Sequence, residues 1–312
     1  MRNHSSVTMF ILLGLTNDPQ LEILIFVFLL ITYLSSIIGN LTIIVLILMD
    51  PHLKTAMYFF LQNFSFLEIS FTTACVPAYL YMISSGDKTI SIGACFGQIF
   101  FIVLFGATDF FLLAVMSYDR YVAICKPLHY VTIMNSRVCR ILIINCWVSG
   151  LLIISPPLSL GLRLEFCGSV IDHYYCDASP ILNNSCSDTW FIEQLIVACA
   201  VLTLILTLVG VAVSYICIIR MILRLPSVQQ RKKAFSTCSS HLIVVSLSYG
   251  SAIFVYVQPS AKNKAAMDKV VSLLATSVAP LLNPFIYTLR NKQVRESFHN
   301  TLKRFIFISK RG

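Results

Sequence analysis

The sequence predicts an all-α membrane protein built from seven transmembrane helices. Its 312 residues are 57% hydrophobic and 12% charged, whereas soluble domains are about half apolar and a quarter charged. Seven apolar stretches are each long enough to cross the ~30 Å hydrocarbon core as a helix, which takes about 20 residues. Lipid offers no hydrogen-bond partners, so each stretch must satisfy its own backbone as a helix.

The seven stretches follow one another with short connections and leave no room for a second domain. They cover residues 24–49, 58–83, 97–124, 139–160, 194–223, 238–258 and 270–289. We therefore predict three regions, which are an N-terminal tail at 1–23, a transmembrane domain at 24–289 and a C-terminal tail at 290–312.

The basic residues set the orientation. With the N-terminus outside, 17 of the 23 lysines and arginines face the cytoplasm, as the positive-inside rule requires. The net charge of +9 is then explained by topology, and a nucleic-acid partner is disfavoured. The apolar segment Val7–Leu15 lacks a cleavage site and follows a single basic residue, Arg2, so we expect an uncleaved extracellular tail.

Two acidic residues lie in the middle of apolar stretches. Glu68 is in the second stretch and Asp109 in the third, with Asn40 and Asn283 available to complete a polar cluster. An unpaired carboxylate in hydrocarbon is costly, so each acid must be neutral, paired or bound to a cation. We expect a small interior site for Na⁺ or a proton. The alternatives are two protonated acids in a hydrogen-bond network and an ion transport path, although no further acid or histidine continues such a path outward.

An adjacent acid and base end the third stretch, in the segment MSYDRYVAIC. In Asp119-Arg120-Tyr121, the two charged residues could be an interfacial pair whose charged ends extend into water. Because these residues lie at the inner end of a span, we expect them to act as a conformational switch that faces a cytoplasmic partner. The inner end of the sixth stretch is basic, with Arg231, Lys232 and Lys233, so no acid there is placed to hold Arg120.

The longest outer connection, residues 161–193, carries three cysteines, and a fourth begins the third stretch. The exterior is oxidising, and these four cysteines allow three pairings. They are Cys95, Cys167, Cys176 and Cys186. His173 lies near Cys176, and we expect a solvated loop histidine rather than a metal ligand.

Three further features lie near the two ends of the chain. Asn3 is a glycosylation acceptor in the outer tail. The seventh stretch contains Pro280 and Pro284, which remove backbone hydrogen bonds and kink a helix, with Asn283 and Tyr287 beside them. After it, apolar residues at helical spacing lie between basic ones and predict a short amphipathic helix on the inner membrane surface. They are Val294, Phe298, Leu302, Phe305 and Ile306.

Five segments in order resemble one family over nearly the whole chain. MYFFLQNFSFLEISF, MSYDRYVAICKPLHY, SYICII, KAFSTCSSHLIVV and NPFIYTLRN resemble the olfactory receptors, a family of rhodopsin-like G-protein-coupled receptors, and in detail their tetrapod class II, family 6 members. The chain departs from the family where Ala56 replaces a usual proline and Met9 a usual glutamate. The order Glu68 then Asp109 also differs from the common Asp-then-Glu arrangement.

The resemblance implies disulfides Cys95–Cys176 and Cys167–Cys186, a plasma-membrane receptor, and coupling to a stimulatory, olfactory-type G protein that raises cyclic AMP. The G protein would meet Arg120, the region of Tyr215 and the basic foot of the sixth helix. The switch residues implied by the matching motifs are Asp119, Arg120, Tyr121, Tyr215, Asn283, Pro284 and Tyr287.

A ligand pocket is expected in the outer half of the bundle. Helical spacing places Ile99, Ile102, Val103 and Gly106 on one face of the third helix. Matching family positions add Cys199, Thr203, Tyr249, Ala252, Ile253, Tyr256, Leu273 and Thr276. No charged residue lies at this level, so the odorant should be small, neutral and largely apolar, with hydrogen bonds to Thr203, Tyr256 or Thr276.

Other classes of function fit less well. A receptor of the same fold for a non-odorant metabolite is compatible with the sequence. A transporter or channel needs a polar path through the membrane, and an enzyme needs a nucleophile–base pair or a metal cluster. The sequence shows none of these patterns.

Overall fold

The computed structural model describes residues 7–257, 264–290 and 292–309, and eight principal helices follow in chain order. They are α1 (Pro19–Met49), α2 (Ala56–Ser85), α3 (Ile92–Cys125), α4 (Ser136–Gly161), α5 (Trp190–Arg224), α6 (Val228–Val257), α7 and α8 (Lys292–Ser309). Helix α7 comprises Lys264–Leu273, a π-helical segment Leu274–Val278 and Ala279–Arg290. Three strands are β1 (Met9–Leu12), β2 (Thr89–Ser91) and β3 (Val170–Ile171).

Six of the described helices are long and apolar enough to span a membrane, and α6 contains a shorter apolar part, Cys238–Ile253. Together they form a seven-helix bundle, so the predicted fold class is confirmed and the chain is a multi-pass membrane protein. The helices extend beyond the predicted apolar stretches. Helix α1 begins at Pro19 because Asp18 caps it, accepting a hydrogen bond from the Gln20 backbone at 2.9 Å, and a cap is independent of hydropathy.

The helices pack around α3, which contacts α2, α4, α5 and α6. Buried side chains form an inner cluster that includes Phe60, Leu113 and Val244. A second, outer cluster joins the ends of α2 and α3 to the outer loops through Tyr79 and Tyr174. The bundle therefore has a separate outer core beneath its extracellular cap.

The N-terminal segment is part of that cap. Strand β1 pairs antiparallel with β2 and parallel with β3. Phe10 and Leu12 are buried, while Met9 and Ile11 face outward. The sequence predicted an extracellular tail here but not its strand, because partner strands of two and three residues leave no pattern of their own.

Helix α7 is joined to α1 at its proline kink. Pro284 has no N–H, which leaves the carbonyl of Pro280, four residues earlier, without its helical donor. The Asn40 side chain donates to that carbonyl at 3.3 Å and to the Ser36 carbonyl at 3.0 Å. The close contact is possible because Gly39 faces the Pro284 ring.

Helix α8 follows α7 and is anchored at its first turn. The Tyr58 hydroxyl on α2 donates to the Gln293 side chain at 2.6 Å, and Val294 is buried in the inner cluster. Phe298 is exposed. The side chains of Leu302, Phe305 and Ile306 lie outside the described part of the structure.

Candidate functional site

A cavity of about 300 Å³ lies between the outer halves of α3, α4 and α5. Its walls are almost entirely aliphatic and aromatic. Among the described residues that line it, only Cys199 and Thr203 carry polar side-chain atoms, and none is charged. Such a cavity suits a small neutral ligand.

Seven of the predicted pocket residues line this cavity. They are Ile99, Ile102, Val103, Gly106, Cys199, Thr203 and Ala252. The four on α3 follow the predicted helical spacing and share one face. Cys199 and Thr203 lie one turn apart on α5, so their side chains reach the same wall.

Four further predicted residues lie elsewhere. Tyr249 is buried with its ring edge against Phe110, whose side chain lines the cavity, at a centroid distance of 5.1 Å. Ile253 is 45% exposed, Leu273 packs against the outer cluster, and the Thr276 hydroxyl pairs with the Tyr174 hydroxyl at 2.9 Å. The Tyr256 side chain is outside the described part of the structure.

The wall formed by α4 and the long outer loop was not predicted from the sequence. Ile154, Pro157 and Gly161 of α4 line the cavity, together with Ile181 and Leu182 of a short loop helix, Ala178–Leu182. These residues are apolar, and an apolar residue on a transmembrane helix faces lipid as readily as a cavity. No sequence pattern distinguished the two.

Two disulfides hold the outer loop over the bundle. Cys95 is bonded to Cys176, and Cys167 to Cys186. Gln98, one turn below Cys95, accepts a hydrogen bond from the Cys176 backbone at 2.9 Å. These links place the short loop helix above the cavity.

The prediction of a solvated His173 is wrong. The side chain is buried and stacks on Tyr174 at a centroid distance of 4.8 Å. Burial, and next the positive charge of Lys269, lower the pKa of His173 to about 4, so it is neutral near pH 7. Lys269 itself bridges the Asp172 carboxylate at 2.6 Å and the Gly14 carbonyl at 3.1 Å.

Of the two membrane acids, Glu68 contacts a polar residue of α7. Glu68 is buried and accepts a hydrogen bond from the Asn283 side chain. Asp109 is partly buried, and its Oδ1 atom is enclosed without a hydrogen-bond partner in the described structure. Asn40 instead bonds the α7 backbone. The described residues contain no group of three or more His, Cys, Asp or Glu side chains placed to hold a metal ion.

At the inner end of α3, both carboxylate oxygens of Asp119 are occupied. Arg120 donates from Nε to Oδ2 at 3.1 Å and also contacts Oδ2 through Nη2. The Tyr130 hydroxyl donates to Oδ1 at 2.8 Å. Burial and the negative charge of Asp119 raise the pKa of Tyr130, so its hydroxyl remains a donor. Tyr130 lies in the quoted motif but its role was not predicted.

The other predicted switch residues lie on α3, α5 and α7. Tyr121 is partly buried beneath the Lys126 ammonium, 5.9 Å from its ring centroid. The Tyr215 hydroxyl on α5 bonds His241 on α6 at 2.8 Å. Tyr287 is buried edge-on to Phe64 at 5.9 Å. The residues Asn283, Pro284 and Tyr287 occupy the inner half of α7.

Comparison with known proteins agrees with this architecture. The family described as "Olfactory receptor" matches residues 28–304. Human olfactory receptor 6C2 is 66% identical over 312 residues, which is 100% of both chains. Human olfactory receptor 6C68 is 63% identical and covers 98% of this chain and 99% of its own.

The crystal structure of squid rhodopsin has the same fold. It superposes with a TM-score of 0.70 at 17% identity and covers 91% of this chain and 81% of its own. At that identity the similarity shows the fold alone, whereas the two olfactory relatives match over 98–100% of this chain. The chain therefore belongs to the olfactory receptor family, whose members are receptors rather than enzymes.

Proposed function

We propose that this receptor binds a small, neutral, largely apolar odorant in the cavity between α3, α4 and α5. Occupancy would activate a stimulatory, olfactory-type G protein and raise cyclic AMP. The uncharged wall, in which the described residues offer only Cys199 and Thr203 as polar groups, carries the proposal. A charged ligand would lose its hydration there without gaining a counter-ion.

The receptor would act at the plasma membrane with its N-terminus outside. The disulfides and the strand β1 then lie on the extracellular side, and the exposed basic residues Arg231 and Lys232 at the foot of α6 lie in the cytoplasm. The glycosylation acceptor Asn3 lies outside the described residues and remains a prediction.

Ligand binding can shift the receptor only through a difference in affinity between two conformations. The cavity touches α6 at Ala252, and α6 meets α5 nearer the cytoplasm through the Tyr215–His241 hydrogen bond. We infer that the occupied cavity favours outward movement of the inner end of α6. Arg120 would then leave Asp119 and meet the G protein.

Glu68 and Asp109 would hold a proton or Na⁺ that biases this equilibrium. Oxygen ligands suit a hard cation, and the enclosed Oδ1 of Asp109 is an unused one. Glu68 of α2 and Asp109 of α3 would hold the ion. It would supply positive charge between two carboxyl groups that cannot both remain ionised and unpaired in hydrocarbon.

A cyclic AMP reporter screen against neutral volatiles tests the function. Replacing Arg120 by alanine should abolish the response while surface labelling stays at the wild-type level. Arg137→Ala, which removes an exposed arginine at the inner end of α4, should respond normally. Activation only by charged or peptide ligands, or normal signalling by Arg120→Ala, would refute the proposal.

A further inference from the structure

Among the described residues that line the cavity, the polar side chains all belong to one turn of α5. Cys199 and Thr203 are the polar side chains among its described lining residues. A thiol is a weak donor and a weak acceptor. The stronger hydrogen-bonding group is therefore the hydroxyl of Thr203.

The hydrogen of that hydroxyl is already used inside the helix. Thr203 Oγ1 donates to the Cys199 carbonyl at 2.8 Å. A hydroxyl has one hydrogen and two lone pairs, so in this arrangement Thr203 presents acceptor sites to the cavity. The polarity of the wall is thus directional and favours a donor on the ligand.

We propose, on the basis of the function above, that the cavity selects ligands carrying a hydrogen-bond donor and that Thr203 determines this specificity. The preferred class is small apolar alcohols, over ethers, ketones or hydrocarbons of the same skeleton. An alcohol O–H can donate to Thr203 Oγ1 without disturbing its bond to the Cys199 carbonyl. A ketone can bond Thr203 only if that hydroxyl turns away from the helix.

The cavity volume sets the size of the ligand. A cavity of about 300 Å³ lies at the lower end of the range of about 300–1,000 Å³ for small-molecule pockets, so it suits a small ligand. The rest of the described wall is apolar and includes Ile99, Val103 and Phe110. A single hydroxyl on a medium-sized aliphatic or cyclic skeleton fits both the volume and the lining.

The experiment compares alcohols, methyl ethers, ketones and hydrocarbons of matched size across linear, branched and cyclic skeletons. One matched set is n-octanol, heptyl methyl ether, methyl hexyl ketone and nonane. A hydrogen bond of ordinary strength predicts that alcohols are more potent by about 2- to 10-fold. The readouts are cyclic AMP in cells and the ligand-induced rise in the melting temperature of purified full-length receptor.

Variants identify the group responsible. Thr203→Val keeps the branched shape and removes the acceptor, so alcohols should fall to the potency of the ethers while the ethers stay unchanged. Thr203→Ser should retain the preference. Thr207→Val is the matched control, because Thr207 lies one turn deeper, is absent from the lining and bonds the Thr203 carbonyl. It should leave the alcohol-to-ether ratio intact.

The outcomes separate this inference from the proposed function. Equal potency of the matched ligands, or a preference that survives Thr203→Val, overturns the inference while a cyclic AMP response upholds the function. A Thr203-dependent preference in melting temperature without cyclic AMP supports the inference and refutes the proposed coupling. Absence of both responses overturns both.

Discussion

Replacing Gly150 by alanine should force α4 away from α3 and destabilise the receptor. A Cβ atom at Gly150 would lie 2.5 Å from Thr108 Oγ1 and 3.2 Å from the Leu104 carbonyl oxygen. Thr108 cannot turn aside freely, because Oγ1 donates to the Leu104 carbonyl at 2.7 Å and its branched side chain has few rotamers. The helices must therefore move apart, which as overpacking costs about 1–3 kcal/mol.

Gly210 on α5 provides the matched control. A Cβ there would lie 3.8 Å from the Ala114 side chain of α3, an ordinary contact. Both substitutions gain the helix propensity of alanine over glycine, up to about 1 kcal/mol. That gain cancels when the variants are compared, so Gly150→Ala should be less stable than Gly210→Ala by about 1–3 kcal/mol.

Thermal unfolding of the two purified variants in the same detergent measures this difference. Gly150→Ala should melt below Gly210→Ala. It should also respond more weakly to odorant, since Ile154, one turn farther along α4, lines the cavity. If Gly150→Ala melted at the temperature of Gly210→Ala or above it, the close packing of α3 on α4 would be disproved.

Three further predictions concern other parts of the chain. The pKa of His173 is about 4 in the folded protein and about 6.5 in the unfolded chain. Acidification from pH 7 to 4 should therefore lower the free energy of unfolding by roughly 3 kcal/mol, because the unfolded chain gains the proton first. Melting curves of His173→Phe should lack this dependence on pH. Ala56→Pro, at the first residue of α2, should stabilise the receptor by about 0.4–1 kcal/mol, because proline suits the first position of a helix and restricts the unfolded chain. A melting temperature below that of the wild type would contradict this prediction. If Glu68 binds sodium, the wild-type melting temperature should rise with NaCl relative to choline chloride, and Glu68→Gln should abolish that rise.

The bundle was predictable because every segment that crosses the lipid must satisfy its own backbone hydrogen bonds, which requires an apolar helix. Several helix ends were not, since caps such as Asp18 and polar extensions such as the start of α6 at Val228, ahead of the predicted stretch 238–258, depend on local hydrogen bonds in water. Strand β1 was missed for a different reason. Its pairing joins segments far apart in sequence, and β3 has only two residues.

Residues of the candidate site were predictable where their type or position is unusual in a membrane protein. Asp119 and Arg120 were identified because charge is rare in the membrane, and the α3 wall because a central helix keeps one face inward. Tyr130 and His241 were missed as partners, since a tyrosine or histidine beside an apolar segment has many ordinary roles. Thr276 was assigned to the pocket, whereas the structure bonds it to Tyr174.

Helix α3 connects the parts of the molecule that the proposed mechanism requires. Gly106 lines the cavity, Asp109 follows within one turn, and Arg120 lies 14 residues beyond Gly106, or about 21 Å along a helix. The polar contacts of α7, through Lys269, Thr276 and Asn283, reach the outer cap and Glu68 rather than the cavity. A ligand in the cavity would therefore act first on α3, α4, α5 and Ala252 of α6, and any change in α7 would follow from their rearrangement.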